Sequence, residues 1–144
     1  MTTMSPSSSL IIYTDGSLTP DGAGAGVVVL DHIGRLIHIE NQTLAITTNN
    51  EAEYAALALG LKIAVRLRAE VVEIRADSEV MVNQMLGHFA VKSHRLKQFH
   101  WQVCELARKF PRVRYTHIPR EQNALADTLA AEASAGRIWA LEAR

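Results

Sequence analysis

Residues 10–17, LIIYTDGS, open with β-branched and aromatic side chains and close on a carboxylate followed by glycine. Such a run reads as a buried strand ending at Gly16, which holds Asp15 at the end of a sheet. Outward from it, residues 23–31 (AGAGVVVLD) form a second strand, with small residues where another backbone can approach closely. Residues 32–34 turn the chain. A third strand follows in RLIHIENQTLA, where alternation puts Leu36, His38 and Glu40 on one side and Arg35, Ile37 and Ile39 on the other. Three consecutive strands with short turns predict an antiparallel meander.

The period then changes. Residues 47–50 supply helix-capping side chains, Glu51 and Glu53 suit the positive end of a helix dipole, and an Ala/Leu-rich stretch runs to about Arg68. This helix is apolar on nearly all sides, so it should lie buried across the sheet. EVVEIRAD (70–77) alternates into a fourth strand, and Ser78 caps a short helix ending at Gly87. Residues 93–110 read as a helix that is basic on one face, with Trp101 and Phe110 as core anchors. Pro111 ends it, residues 113–118 form the last strand, and residues 123–135 form a final Ala-rich helix closed by Gly136. The order βββαβααβα describes an α/β domain with a mixed sheet, because strands separated by helices can return parallel.

Composition agrees with one globular domain: 144 residues, 48% apolar, 21% charged and a single cysteine. Cys104 has no partner for an internal disulfide or a cysteine zinc site and is read as a small core residue. This fits a reducing cytosol, so a cytoplasmic protein is expected. The longest uncharged apolar run, residues 54–61, is far short of the roughly 20 residues of a membrane span. Residues 1–9 lack the basic start and apolar stretch of a secretory signal and are read as a disordered leader. The domain is then residues 10–136, followed by a tail (137–144) whose Ile138, Trp139 and Leu141 should pack back onto it. A monomer is expected, with a dimer through that tail as the alternative.

Net charge is zero, but it is unevenly spread. Residues 1–60 hold six acidic side chains and only Arg35 as a base, whereas residues 88–120 hold eight bases against Glu105 alone. That basic stretch fits either a solvated helix face or a surface that tracks phosphates.

Four carboxylates stand where an ordinary surface charge would be odd. Asp15 and Asp77 each end an apolar strand, Glu53 lies in the first turns of the apolar helix, and Asp127 falls one turn after Asn123 amid alanine and leucine. Two strand ends and two helices could bring them to one cluster. Such mutual repulsion is tolerable when divalent cations neutralise it, and oxygen ligands favour Mg²⁺ or Mn²⁺. Taken singly, Asp15 and Asp77 also read as strand-end turns and Glu53 as helix-terminal charge.

The flanking residues weight the choice. YTDGS (13–17), GAGAGVVV, TTNNEAEYAAL (47–57), ADSEVMVNQM (76–85) and HIPREQNALADTLA (117–130) resemble, in order, the motif blocks of type 1 ribonuclease H. The similarity spans about residues 10–136 and, in lacking a long basic protrusion between the second and third helices, is closest to the compact archaeal-type branch. It implies the ribonuclease H-like fold, a five-stranded mixed sheet in order 3-2-1-4-5 flanked by helices. It also implies endonucleolytic hydrolysis of the RNA strand of an RNA/DNA hybrid, leaving 5′-phosphate and 3′-hydroxyl ends.

By that resemblance Asp15, Glu53, Asp77 and Asp127 are the catalytic tetrad holding two Mg²⁺ or Mn²⁺ ions, which together activate water and stabilise the leaving oxygen. Asp15 bridges the ions, Asp127 helps hold the one that activates water, and Glu53 and Asp77 hold the other. Gly16, Ser17, Asn50 and Gln84 match positions that read the RNA minor groove and its 2′-hydroxyl. Thr48 matches a grip on a phosphate of the DNA strand, and Thr48 and Asn49 also read as helix caps. Asn123 opens the N-x-x-x-D ending and joins the substrate-binding set. His117 has the offset of the family's product-release histidine but lies in THIPRE, without a Gly-rich loop, so Arg120 is the alternative assistant. Phe89, Lys92, His94, Arg95 and Lys97 are the candidates for the DNA strand, against a reading as solvated charge. Two other readings stay open: another phosphodiesterase of the same fold, and a non-catalytic hybrid-binding module.

Overall fold

In the computed structural model, which describes residues 8–46 and 48–142, strand β1 (Ser9–Thr19) is the centre of the sheet. It pairs antiparallel with β2 (Gly22–Asp31), which pairs with β3 (Leu36–Leu44). Helix α1 (Asn49–Arg66) crosses to β4 (Val71–Ala76), which lies parallel on the other side of β1. Helices α2 (Glu79–Met85) and α3 (His94–Ala107) lead to β5 (Arg112–His117), parallel to β4. Helix α4 (Ala124–Ser134) follows a single 3₁₀ turn, and a short β6 (Ala140–Glu142) ends the described chain. The sheet order is β5-β4-β1-β2-β3-β6, the expected 3-2-1-4-5 arrangement with one strand added beside β3.

The added strand corrects the reading of the tail. Asn41 holds the tail's backbone with both its own backbone and its side chain, donating its main-chain amide to the Trp139 carbonyl (3.0 Å) and accepting the Trp139 amide on Oδ1 (2.6 Å). Ile138, Trp139 and Leu141 stay largely exposed, so main-chain pairing and not side-chain burial docks the segment. At the other terminus, residues 1–7 of the expected leader lie outside the described residues. Ser8 accepts the Glu70 amide and Ser9 opens β1.

Two other expectations change. β1 does not stop at Gly16: its parallel pairing with β4 ends at Tyr13, while its antiparallel pairing with β2 continues to Thr19. In β3, a register shift between Val29 and Leu30 sets Leu36 opposite Leu30 and His38 opposite Val29. His38 and Glu40 therefore share a face, where they bond each other and Glu40 meets Arg66 of α1, while Leu36 turns to the other side.

The core lies between the sheet and α1. Tyr54, Leu57, Leu61 and Ile63 pack against Ile12, Val27, Val29, Val72 and Ile74, all at most 1% exposed. Burying each such side chain stabilises the fold by about 1.5–3 kcal/mol, which is why α1 carries almost no polar stripe. Helix α3 closes this layer with Leu96 and Val103, and Phe110 is buried as expected. Trp101 is not: it is 66% exposed, because Leu96 and Val103 face the core and it stands on the outer face of α3. Cys104 is half-buried beside His100 rather than in the core. Among the described residues no helix is long and apolar enough to cross a membrane.

Candidate active site

Asp15 sits where β1 parts from β4, one residue before the glycine that lets α1 approach. A Cβ on Gly16 would overlap the Ala52 carbonyl and lie 2.6 Å from the Glu53 amide nitrogen. With only hydrogen there, the Gly16 amide donates to Glu53 Oε1 at 3.0 Å and fixes that carboxylate beside Asp15. Asp77 follows directly on β4. Asp127 comes from the first turn of α4, its amide donating to the Asn123 carbonyl at 3.0 Å. The small residues of β2 position that helix, since a Cβ on Gly26 would overlap the Ala126 carbonyl and lie 2.7 Å from the Ala130 nitrogen.

The four carboxylates thus converge. Asp15, Glu53 and Asp77 each bring an oxygen within 4.8 Å of the others. Above them opens a cleft of about 400 Å³, lined also by Ser17, Thr19, Asn49, Arg120 and Asp127. Asn123 is buried beneath it, donating Nδ2 to the Thr14 carbonyl (2.9 Å) and to Asp77 Oδ2 (3.3 Å). It therefore orients Asp77 rather than facing substrate.

Crowding shows in the proton affinities. Burial pushes Asp15 up to about 9, with the Glu53 and Asp77 charges adding to it and Asp127 adding a hydrogen bond and its own charge. Burial also pushes Glu53 up to about 8, helped by the charges of Asp77 and Asp127 and opposed by the Gly16 amide. A buried cluster of oxygen donors that holds protons this tightly fits Mg²⁺ or Mn²⁺, which would replace the protons with fixed positive charge.

The consequence for stability has a definite sign. In the ion-free protein both carboxyls hold their protons more tightly folded than unfolded, where they titrate near 4. The unfolded chain therefore gives up protons first, and this contribution destabilises the fold progressively from about pH 4 to about pH 9. The carboxyls held low, Asp31 and Glu40, act in the opposite sense, but only at the acid end of that window, where the unfolded chain still binds their protons. Thermal melts in EDTA should show a lower Tm at pH 8.5 than at pH 5.5, and Mg²⁺ should raise Tm more at the higher pH.

The remaining candidates divide. Gly16, Ser17, Asn49 and Arg120 line the cleft, Arg120 approaching Asp127 at 4.0 Å. Thr48 caps α1 by accepting the Glu51 amide, and the exposed Asn50 follows it; Thr47 lies outside the described residues. His117 is exposed at the end of β5, beside Ala76 in register and outside the cleft lining. Gln84 is buried, accepting from the Tyr54 hydroxyl (2.7 Å) and donating to the Ala90 carbonyl (3.2 Å). Lys92 is exposed ahead of α3.

Arg95 is already engaged. Its Nε meets Glu51 Oε2 at 2.8 Å, and that carboxylate is buried. Sequence reasoning read Glu51 as helix-terminal charge, and nothing in the chain marks it as buried. Removing Arg95 takes a paired cation from this buried carboxylate, so Arg95→Ala should lose about 1 kcal/mol in a urea titration. Leu18 and Thr19 were also missed, because their place in the cleft depends on β1 running past Asp15.

Comparison with known proteins agrees with this geometry. A family described as reverse transcriptase-like matches residues 13–133. The bifunctional protein Rv2228c of Mycobacterium tuberculosis is 38% identical over 118 residues, covering 82% of this chain and 32% of the relative. Ribonuclease HI of Halobacterium salinarum is 32% identical over 123 residues, covering 84% and 62%; this chain thus spans less than two thirds of these curated relatives. The crystal structure of the Halobacterium salinarum RNase H1 superposes with a TM-score of 0.84 at 31% identity, covering 87% of this chain and 96% of that one. LC11-RNase H1, solved in complex with RNA/DNA hybrid, superposes with a TM-score of 0.79 at 38% identity, covering 86% and 95%. With the fold, the carboxylate cluster and these relatives in agreement, the chain belongs to the reverse transcriptase-like family and carries a domain of the ribonuclease H type.

Proposed function

We propose that this chain is an endoribonuclease that hydrolyses the RNA strand of RNA/DNA hybrids, leaving 5′-phosphate and 3′-hydroxyl ends. The observation that carries the reading is the meeting of Asp15, Glu53 and Asp77 within 4.8 Å in an open cleft with Asp127 on its wall. The hybrid in the LC11-RNase H1 complex supports the substrate class.

Asp15, Glu53, Asp77 and Asp127 would hold two divalent cations, Mg²⁺ or Mn²⁺. When bound, these supply a water nucleophile at neutral pH and stabilise the oxygen that leaves phosphorus. The chain's own residues set the geometry. The Gly16 amide fixes Glu53 and the Asn123 amide fixes Asp77, so neither carboxylate needs to reorganise when substrate arrives. Ser17 and Asn49 offer polar groups at the cleft for the 2′-hydroxyl that separates RNA from DNA, and the exposed Asn50 follows Asn49 in the chain. Arg120, in the cleft wall, is better placed than His117 to help product leave. Lys92 remains a contact for the DNA strand, whereas Arg95 and Gln84 serve the fold.

A hybrid labelled separately on each strand tests the reading. In Mg²⁺ the RNA strand should give internal fragments that a ligase rejoins without added phosphorylation, and the DNA strand should stay whole. Cutting of the DNA strand, or RNA fragments ending in 2′,3′-cyclic phosphate, would overturn it.

A further inference from the structure

Trp101, 66% exposed, does not stand alone on the outer face of α3. His94, Lys97 and Gln98 precede it by seven, four and three residues, the spacing of one helix face, and the four side chains line an open cleft of about 370 Å³. No carboxylate lines this cleft. Among the described residues none pairs with Lys92 or Lys97, whereas Arg95 is engaged by Glu51 and Arg108 by Glu105. Its free charge is therefore positive, in contrast to the acidic site.

The cleft also has a defined place. Arg95 in the first turn of α3 bonds Glu51, two residues from Glu53, and further along His100 meets Tyr54 edge-on, so α3 runs beside α1 away from the carboxylate cluster. From His94 to Trp101 is about 10 Å of helix. The result is a basic track that starts near the candidate active site and ends on an indole face.

An exposed indole with cations along its approach is the arrangement that binds a nucleic acid strand by stacking, and stacking needs a base free of its pairing partner. We propose that the His94, Lys97, Gln98 and Trp101 face binds an unpaired strand running off the hybrid. One base stacks on Trp101, and Lys97 and Lys92 meet the adjoining phosphates. This rests on the hybrid-cleaving reading and adds to it a preference for hybrids that border single-stranded nucleic acid. Unpaired DNA and RNA offer the same π-face and phosphate, so the two are separated by experiment.

The chain has two tryptophans, so in a Trp139→Phe background the emission reports Trp101 alone. Titration in EDTA with a deoxythymidine 12-mer and a uridine 12-mer should quench that emission with one or both strands, identifying the source. Lys97→Ala should weaken binding severalfold and flatten its dependence on salt. In cleavage assays a ten-nucleotide overhang should lower KM about tenfold relative to a blunt hybrid, and Trp101→Ala should erase the difference between the two substrates. No quenching by either strand, or the same overhang benefit in Trp101→Ala, would overturn the proposal. If no hybrid is cut at all, the enzymatic reading fails and the fluorescence titration still decides whether the face binds a strand.

Discussion

Asp15→Asn should lower hybrid cleavage by at least about a thousandfold while making the ion-free protein more heat-stable. Asp15 is 5% exposed and feels the charges of Glu53, Asp77 and Asp127 together, so it contributes most to holding a cation and suffers most when none is bound. An amide of the same shape keeps the packing, removes the repulsion and cannot supply the negative charge. The pH slope of Tm in EDTA should also flatten, because one of the two tightly protonated carboxyls is gone. Single-turnover cleavage and thermal melts of the same preparation measure both effects. Near wild-type cleavage by the variant would remove Asp15 from the metal site.

Gly26→Ala should cost about 3 kcal/mol or more and abolish cleavage with it. The new methyl group would meet backbone, the Ala126 carbonyl and the Ala130 nitrogen, and backbone cannot swing aside as a side chain does. Helix α4 must then lift from β2, carrying Asp127 away from the cleft and straining the bonds that Asn123 makes beneath it. Urea unfolding measures the loss. Wild-type stability in Gly26→Ala would mean that α4 does not sit on β2 as closely as described.

Much of this was legible in the chain, for identifiable reasons. LIIYTD, VVVL and VVEIRA have the run length and β-branching of buried strands, and Ala52–Ala64 is too apolar all round for anything but a buried helix. The carboxylates stood out because Asp15 and Asp77 end apolar strands, where a charge needs a reason. What was not legible depends on partners distant in sequence. β6 has three exposed residues and no alternation, and exists because the buried Asn41 offers both a donor and an acceptor to Trp139. Arg95 looked like a nucleic-acid contact, since its partner Glu51 lies far upstream and carries no mark of burial. Trp101 looked like a core residue because helical position alone does not say which neighbouring faces are already covered.

On the proposed reading, the carboxylate cluster cuts RNA paired to DNA with the help of divalent cations. The most direct test is one end-labelled sequence presented as RNA/DNA hybrid, RNA/RNA, DNA/DNA and single-stranded RNA, each with Mg²⁺, Mn²⁺ or EDTA. Internal cuts should appear in the RNA of the hybrid alone, in either metal and not in EDTA. Binding of the hybrid without cutting in any metal would contradict that reading and make the domain a recognition module whose carboxylates no longer catalyse.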